Sequence, residues 1–127
     1  MTLGFTLGDL GRAEEAVESM GKACELTRNQ SKCAAYASTL QHAGRKAEAL
    51  VAAKKAERLT EDGDGRYNLA CFWAQFWNRV EALRSLRRSL QLGMFIGFAE
   101  RDPDLVSLHG DPEFEAYIAE GKRRLSP

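Results

Sequence analysis

Three groups of residues in this chain are of types that do chemistry: its cysteines, its histidines and a run of aspartates with glycines. Cys24, Cys33 and Cys71 include no C-x-x-C spacing and leave one thiol over from any pairing. They read as free thiols in small buried positions, and hence as a protein of a reducing compartment, the cytoplasm. His42 and His109 stand far apart, and neither has a Cys or His at ligand spacing, so no metal site is expected. His42 reads as a hydrogen-bonding or surface residue rather than a general base. Asp62-Gly63-Asp64-Gly65 resembles a calcium loop only superficially, because its glycines and closing glutamate fall at the wrong offsets. It reads as a linker with Asp64 as a helix cap. There is no glycine-rich phosphate loop, no GxSxG elbow and no kinase catalytic loop. The sequence therefore points to no catalytic centre and no cofactor.

Two further clusters bear on binding. Arg84, Arg87 and Arg88 share one helical face at i, i+3 and i+4, which reads as a solvated convex surface rather than a docking site for acid or RNA. Phe72, Trp73, Phe76 and Trp77 form a dense aromatic group, in which Trp73 is a core position while Phe76 and Trp77 are expected to pack on a C-terminal cap. The 127 residues carry 18 basic and 18 acidic side chains. A net charge of zero leaves no global field to draw in nucleic acid or an anionic membrane. The middle of the chain is locally basic, at +2 over 31–63 and +3 over 64–93, between acidic ends of −2 over 1–30 and −3 over 94–127. The longest apolar runs, such as Leu69 to Ala74, are far too short to span a bilayer, and Met1 is followed by no secretion signal.

The elements that position these residues repeat. Ala16, Ala49 and Ala82 are spaced by 33 residues, and around them further columns recur in one register: Ala23, Ala56 and Ser89; Leu26, Leu59 and Leu92; Gly4, Ala37 and Ala70; Leu7, Leu40 and Trp73; Gly11, Gly44 and Trp77. Small residues two turns apart let helix backbones approach closely, and large ones fill the groove between them. Gly11 and Gly44 fall where a first helix must end and the chain reverse. Each unit is thus an antiparallel helix pair, with helices expected near 2–8, 12–27, 31–43, 46–59, 64–76 and 79–92. After Gly93 the pattern stops. Asp102-Pro103 and Asp111-Pro112 are each an N-cap followed by a first helical proline, and each should open a capping helix.

In these columns the chain resembles the tetratricopeptide repeat (TPR) family: Gly4, Ala37 and Ala70 stand for its small first-helix residue, Gly11 and Gly44 for its turn glycine, and the two alanine columns for its second helix. The likeness covers residues 1–93, as units 1–30, 31–63 and 64–93, with 94–127 as a cap like that of bacterial TPR proteins. Its departures are a period one residue shorter than usual, no closing proline, and Trp77 in place of the third turn glycine.

The resemblance implies an all-α, right-handed superhelix that binds a peptide or protein segment in its concave groove without catalysis. The groove positions it implies are Phe5, Ala34, Ser38, Gln41, His42, Tyr67, Asn68, Cys71 and Gln75, with Tyr67 contributing more to binding than Arg87. Such a wall lacks the cations that clamp an acidic chaperone tail. The alternative is a regulatory or oligomerising tail of a larger bacterial enzyme such as a signalling kinase. The first unit lacks the start of its first helix, which reads as a segment of a longer repeat protein. Leu3, Phe5 and Leu7 should leave an apolar N-terminal edge open to self-association.

Overall fold

The computed structural model describes residues 7–94 and 97–124. Among them are six α-helices and two 3-10 helices, and no strand. The helices are α1 (Leu7–Thr27), α2 (Gln30–His42), α3 (Lys46–Glu57), α4 (Gly63–Gln75), α5 (Arg79–Gln91) and α6 (Pro112–Arg123); the 3-10 helices, Gly97–Arg101 and Pro103–Leu108, lie between α5 and α6. No helix among the described residues is long and apolar enough to cross a membrane.

The pairs α2/α3 and α4/α5 are built alike, 33 residues apart, because the same local devices recur. Asn29 and Asp62 are the N-caps of α2 and α4, and each side chain accepts the backbone N–H three residues on, from Lys32 and Gly65. This satisfies one of the amides that a helix start leaves bare. Asp62 therefore takes the capping role expected of Asp64, which lies inside the first turn. At the far ends, the N–H of Arg45 bonds to the carbonyl of Leu40 at 2.9 Å and that of Asn78 to Trp73 at 2.9 Å. Both are the six-residue closure of a helix that ends on a left-handed residue. That residue is Gly44 (φ +81°) in one pair and Trp77 (φ +63°) in the other.

A tryptophan at positive φ is strained by contact of its Cβ with the backbone. Trp77 is 82% exposed and so gains little from packing in return. Trp77→Gly is expected to stabilise the protein by about 1 kcal/mol, raising the melting temperature by roughly 4 °C. A variant that melts at or below the wild-type temperature would show that the indole contributes more than the strain costs.

Between the pairs the expected small-for-large packing is present. Ala37, Ala49, Ala56, Ala70 and Ala82 are fully buried, and α2 packs on α3, α4 and α1. Leu40, Leu69, Phe72 and Leu86 fill the spaces they leave. Phe72 stacks on Phe76 with ring centroids 5.3 Å apart and meets Trp73 edge-on at 4.9 Å. Phe76 thus joins the core, whereas Trp77, expected to pack on the cap, points into solvent. The backbone stays left-handed there to close α4, and this swings the side chain off the helix.

The first unit departs from expectation. In place of helices at 2–8 and 12–27 joined by a turn at Gly11, α1 is one helix through Gly11; residues 2–6 lie outside the described residues. Glycine permits a reversal but does not compel it. A reversal is held by the hairpin it closes, and here Arg12, Glu14, Glu15 and Ala16 are all exposed rather than packed into one. Continuing the helix keeps every backbone group bonded, and that outcome wins. Ala16 is accordingly exposed although its register mates Ala49 and Ala82 are fully buried.

Both Asp-Pro dipeptides open helices. Asp102 caps the second 3-10 helix, and Asp111 caps α6 by accepting from the N–H groups of Glu113 and Phe114 at 2.8 and 3.1 Å. Phe114, Leu105, Leu108 and Ile118 are buried, α6 packs on α5, and the second 3-10 helix packs on α4. Phe95 and the side chain of Phe98 lie outside the described residues.

Candidate functional site

Of the groove positions implied by the sequence, Phe5 lies outside the described residues. Tyr67, Cys71 and Gln75 form a line along α4, but that line faces the second 3-10 helix. The Tyr67 hydroxyl donates to Asp102 Oδ2 at 2.6 Å, the Gln75 amide to Asp104 Oδ1 at 3.0 Å, and Ser107 Oγ to the carbonyl of Ala74 at 3.0 Å. Tyr67 and Cys71 are buried as a result. Replacing Tyr67 would loosen the seat of this segment rather than strip a partner's contact, so the expected ranking of Tyr67 over Arg87 loses its basis. Asn68 joins α4 to α2 through Ser31, whose Oγ accepts at 2.9 Å, and Ala34 is fully buried. Asn68 and Gln75 stay partly exposed beside these bonds, as do Ser38 and Gln41 on α2, and His42 at the C-terminal end of α2 is exposed.

Cys71 Sγ and carboxylate oxygens of Asp102 and Asp104 lie within 4.8 Å of one another. This group has the ligand types of a metal site, and its atoms are also engaged with one another and with α4. Burial, then the neighbouring Asp102 and Asp104, push the Cys71 thiol well above its usual range. The oxygens are already engaged by Tyr67, Gln75 and the N–H of Asp104. Burial and the bond to Asp102 likewise raise the Tyr67 phenol. The cluster ties the capping segment to α4. Sequence reading missed it because the aspartates were read only as helix starts.

The arginine face is largely paired. Arg88 bonds to Glu61 at 2.8 Å and Arg84 to Glu81 at 3.2 Å, while Arg66 holds Glu57 and Glu61 on the same side. Glu57 is the odd member: burial and the nearby Glu81 raise its pKa despite Arg66. A cleft of about 770 Å³ opens here, lined by Leu50, Lys54, Trp73 and Phe76 among these charges.

A more apolar concavity lies elsewhere. A groove of about 780 Å³ runs between the C-terminal half of α1 and the outer face of α3, with α2 as its floor. Tyr36 and Leu40 come from α2, and Val51, Ala52, Ala56 and Leu59 from α3 and the residues after it; Glu25, Arg28, Glu48 and Lys55 stand at its rim. Its α1 side carries Cys24, which is disulfide-bonded to Cys33 of α2, the Cα atoms being 4.6 Å apart. The expectation of three free thiols is corrected: only Cys71 is free. Spacing along the chain does not report this pairing, because the turn at Arg28 and Asn29 folds α1 back on α2 and brings together two residues nine apart.

No family model matches the chain, and neither a curated protein nor a solved structure matches it.

Proposed function

We propose that this chain is a non-enzymatic protein–protein interaction module, a TPR-like solenoid that holds an apolar segment of a protein partner. The carrying observation is the groove of about 780 Å³ between α1 and α3, apolar inside and rimmed by charges of both signs. Such a surface suits an amphipathic helix, whose apolar face fills the trough while its polar face meets the rim. The 33-residue recurrence of caps and turns supports the repeat reading. The α4 part of the implied concave wall lies under the capping segment, so the outer groove takes the binding role in this proposal, with Ser38, Gln41 and His42 as the open remainder of the concave side. No nucleic-acid or membrane partner is proposed, given the zero net charge. The cytoplasmic placement rested on unpaired thiols and loses that support with the Cys24–Cys33 bond.

Val51 is 54% exposed on the groove wall, so a charge there should leave the fold intact. Val51→Asp is expected to lower affinity for a captured partner at least tenfold with an unchanged melting curve, while Arg87→Ala leaves binding as it is. Equal retention by wild type and Val51→Asp in a titration would refute the groove as the binding face.

A second reading, a regulatory or oligomerising part of a larger assembly, draws support from Ala16. A helix laid on that exposed face would complete the first pair as α2 and α4 complete theirs. Concentration-dependent sedimentation of the chain would favour self-association there.

A further inference from the structure

Among the described residues, the main packing partner of helix α1 is α2. From Gly11 to Thr27, Val17 alone is fully buried. Further ties include an exposed ion pair from Arg45 to Glu14 at 2.9 Å and the close approach of Gly21 to the ring of Tyr36. Exposed pairs of that kind contribute little. At the C-terminal end of α1 stands the covalent tie, Cys24 to Cys33. Both cysteines line the groove, Cys33 at 4% exposure and Cys24 partly exposed. The bond thus borders the groove, and the residue on its Cys24 side is the more exposed of the two.

We propose that the Cys24–Cys33 disulfide is a redox clasp: intact, it holds α1 on α2, and its reduction by a small dithiol releases α1 and so dismantles one wall of the groove. A thiolate of the dithiol attacks the Cys24 sulfur and the S–S bond breaks, leaving Cys33 as a thiolate that takes up a proton. The second thiol of the reductant then displaces Cys24 from the mixed disulfide. Two electrons pass to the protein, two cysteine thiols form, and the reductant leaves as its own disulfide. Closing a loop of this length restricts the undocked chain by roughly a hundredfold in the equilibrium between docked and released α1. Cys71 does not compete, since it is buried against Asp102 of the capping segment. The inference does not depend on what occupies the groove.

The test uses the full chain purified without reductant, with dithiothreitol as the dithiol. Alkylation after denaturation, read by intact mass, should label one thiol in the oxidised protein and three in the reduced one. Hydrogen exchange of residues 12–24 should quicken by up to a hundredfold on reduction, while α4 and α5 keep their protection. A Cys24→Ser, Cys33→Ser variant should exchange like reduced wild type and ignore the dithiol. Three labelled thiols in protein treated with oxidised glutathione, unchanged exchange in α1, or an equal loss of protection in α4 and α5 would each overturn the clasp.

Discussion

Phe114→Ala is expected to destabilise the protein by about 3–5 kcal/mol, the range for removing a buried phenylalanine side chain. The ring has no exposed surface, lies 5.7 Å from the ring of His109, and is held by an N–H bonded to Asp111. Around it Leu105, Leu108 and Ile118 are buried with it, so a cavity here cannot collapse toward solvent. The capping segment is also tied back to the stack: Arg124 donates to the carbonyl of Leu90 at 2.6 Å, and Arg79 pairs with Asp111. Loss of Phe114 should therefore lower the single urea midpoint of the whole molecule rather than melt α6 alone. Truncation at Gly93 should aggregate, because it bares the faces of α4 and α5 that this segment covers. A truncated chain that stays soluble and melts like the intact one would remove the segment from the folding unit. The same corner gives an acid-side signature. The N–H of Phe114, together with Arg79, holds the Asp111 carboxyl below its usual range. Its stabilising contribution is complete at neutral pH and is lost as pH falls through the lowered value, so Asp111→Asn should flatten the acid limb of the stability curve.

Gly65→Ala is expected to cost about 3 kcal/mol, while the same change at Gly11 should stabilise by roughly 0.5–1 kcal/mol. A methyl group on Gly65 would lie 2.5–2.7 Å from Oε1, Cγ and Cβ of Gln30. Gln30 cannot step aside cheaply. It is buried, its amide donates to the carbonyl of Ala56 at 3.2 Å, and its Oε1 accepts from the N–H of Asp62 at 3.2 Å. Moving it breaks the polar join between α2, α3 and the start of α4 and leaves buried groups unsatisfied. Gly11, by contrast, lies within a helix with nothing within 4 Å of a Cβ, so alanine only removes backbone freedom from the unfolded chain. Chemical denaturation of both variants checks the pair. A neutral Gly65→Ala would show that Gln30 is not packed as tightly as described.

The amino-acid sequence by itself determined the helices from Gln30 to Gln91, the 33-residue register that relates them, and the starts at Asp102-Pro103 and Asp111-Pro112. These features rest on local physics: apolar periodicity along one face, a side chain that caps the amides just ahead of it, and a proline or left-handed residue where a helix starts or stops. The tertiary structure decided the rest. Gly11 and Gly44 occupy the same column, yet of the two only Gly44 turns, because there the helices on either side, α2 and α3, pack on each other. Trp77 takes a glycine's conformation because closure of α4 requires it. Tyr67 and Cys71 look like an open wall on a helical wheel, but the second 3-10 helix, brought from 35 residues away at Asp102, lies over them. Cys24 and Cys33 meet because α1 folds back on α2, and the groove beside them exists only where α1, α2 and α3 pack together. Which face of a helix is covered, and by what, is a property of its neighbours, and spacing along one segment carries no information about them.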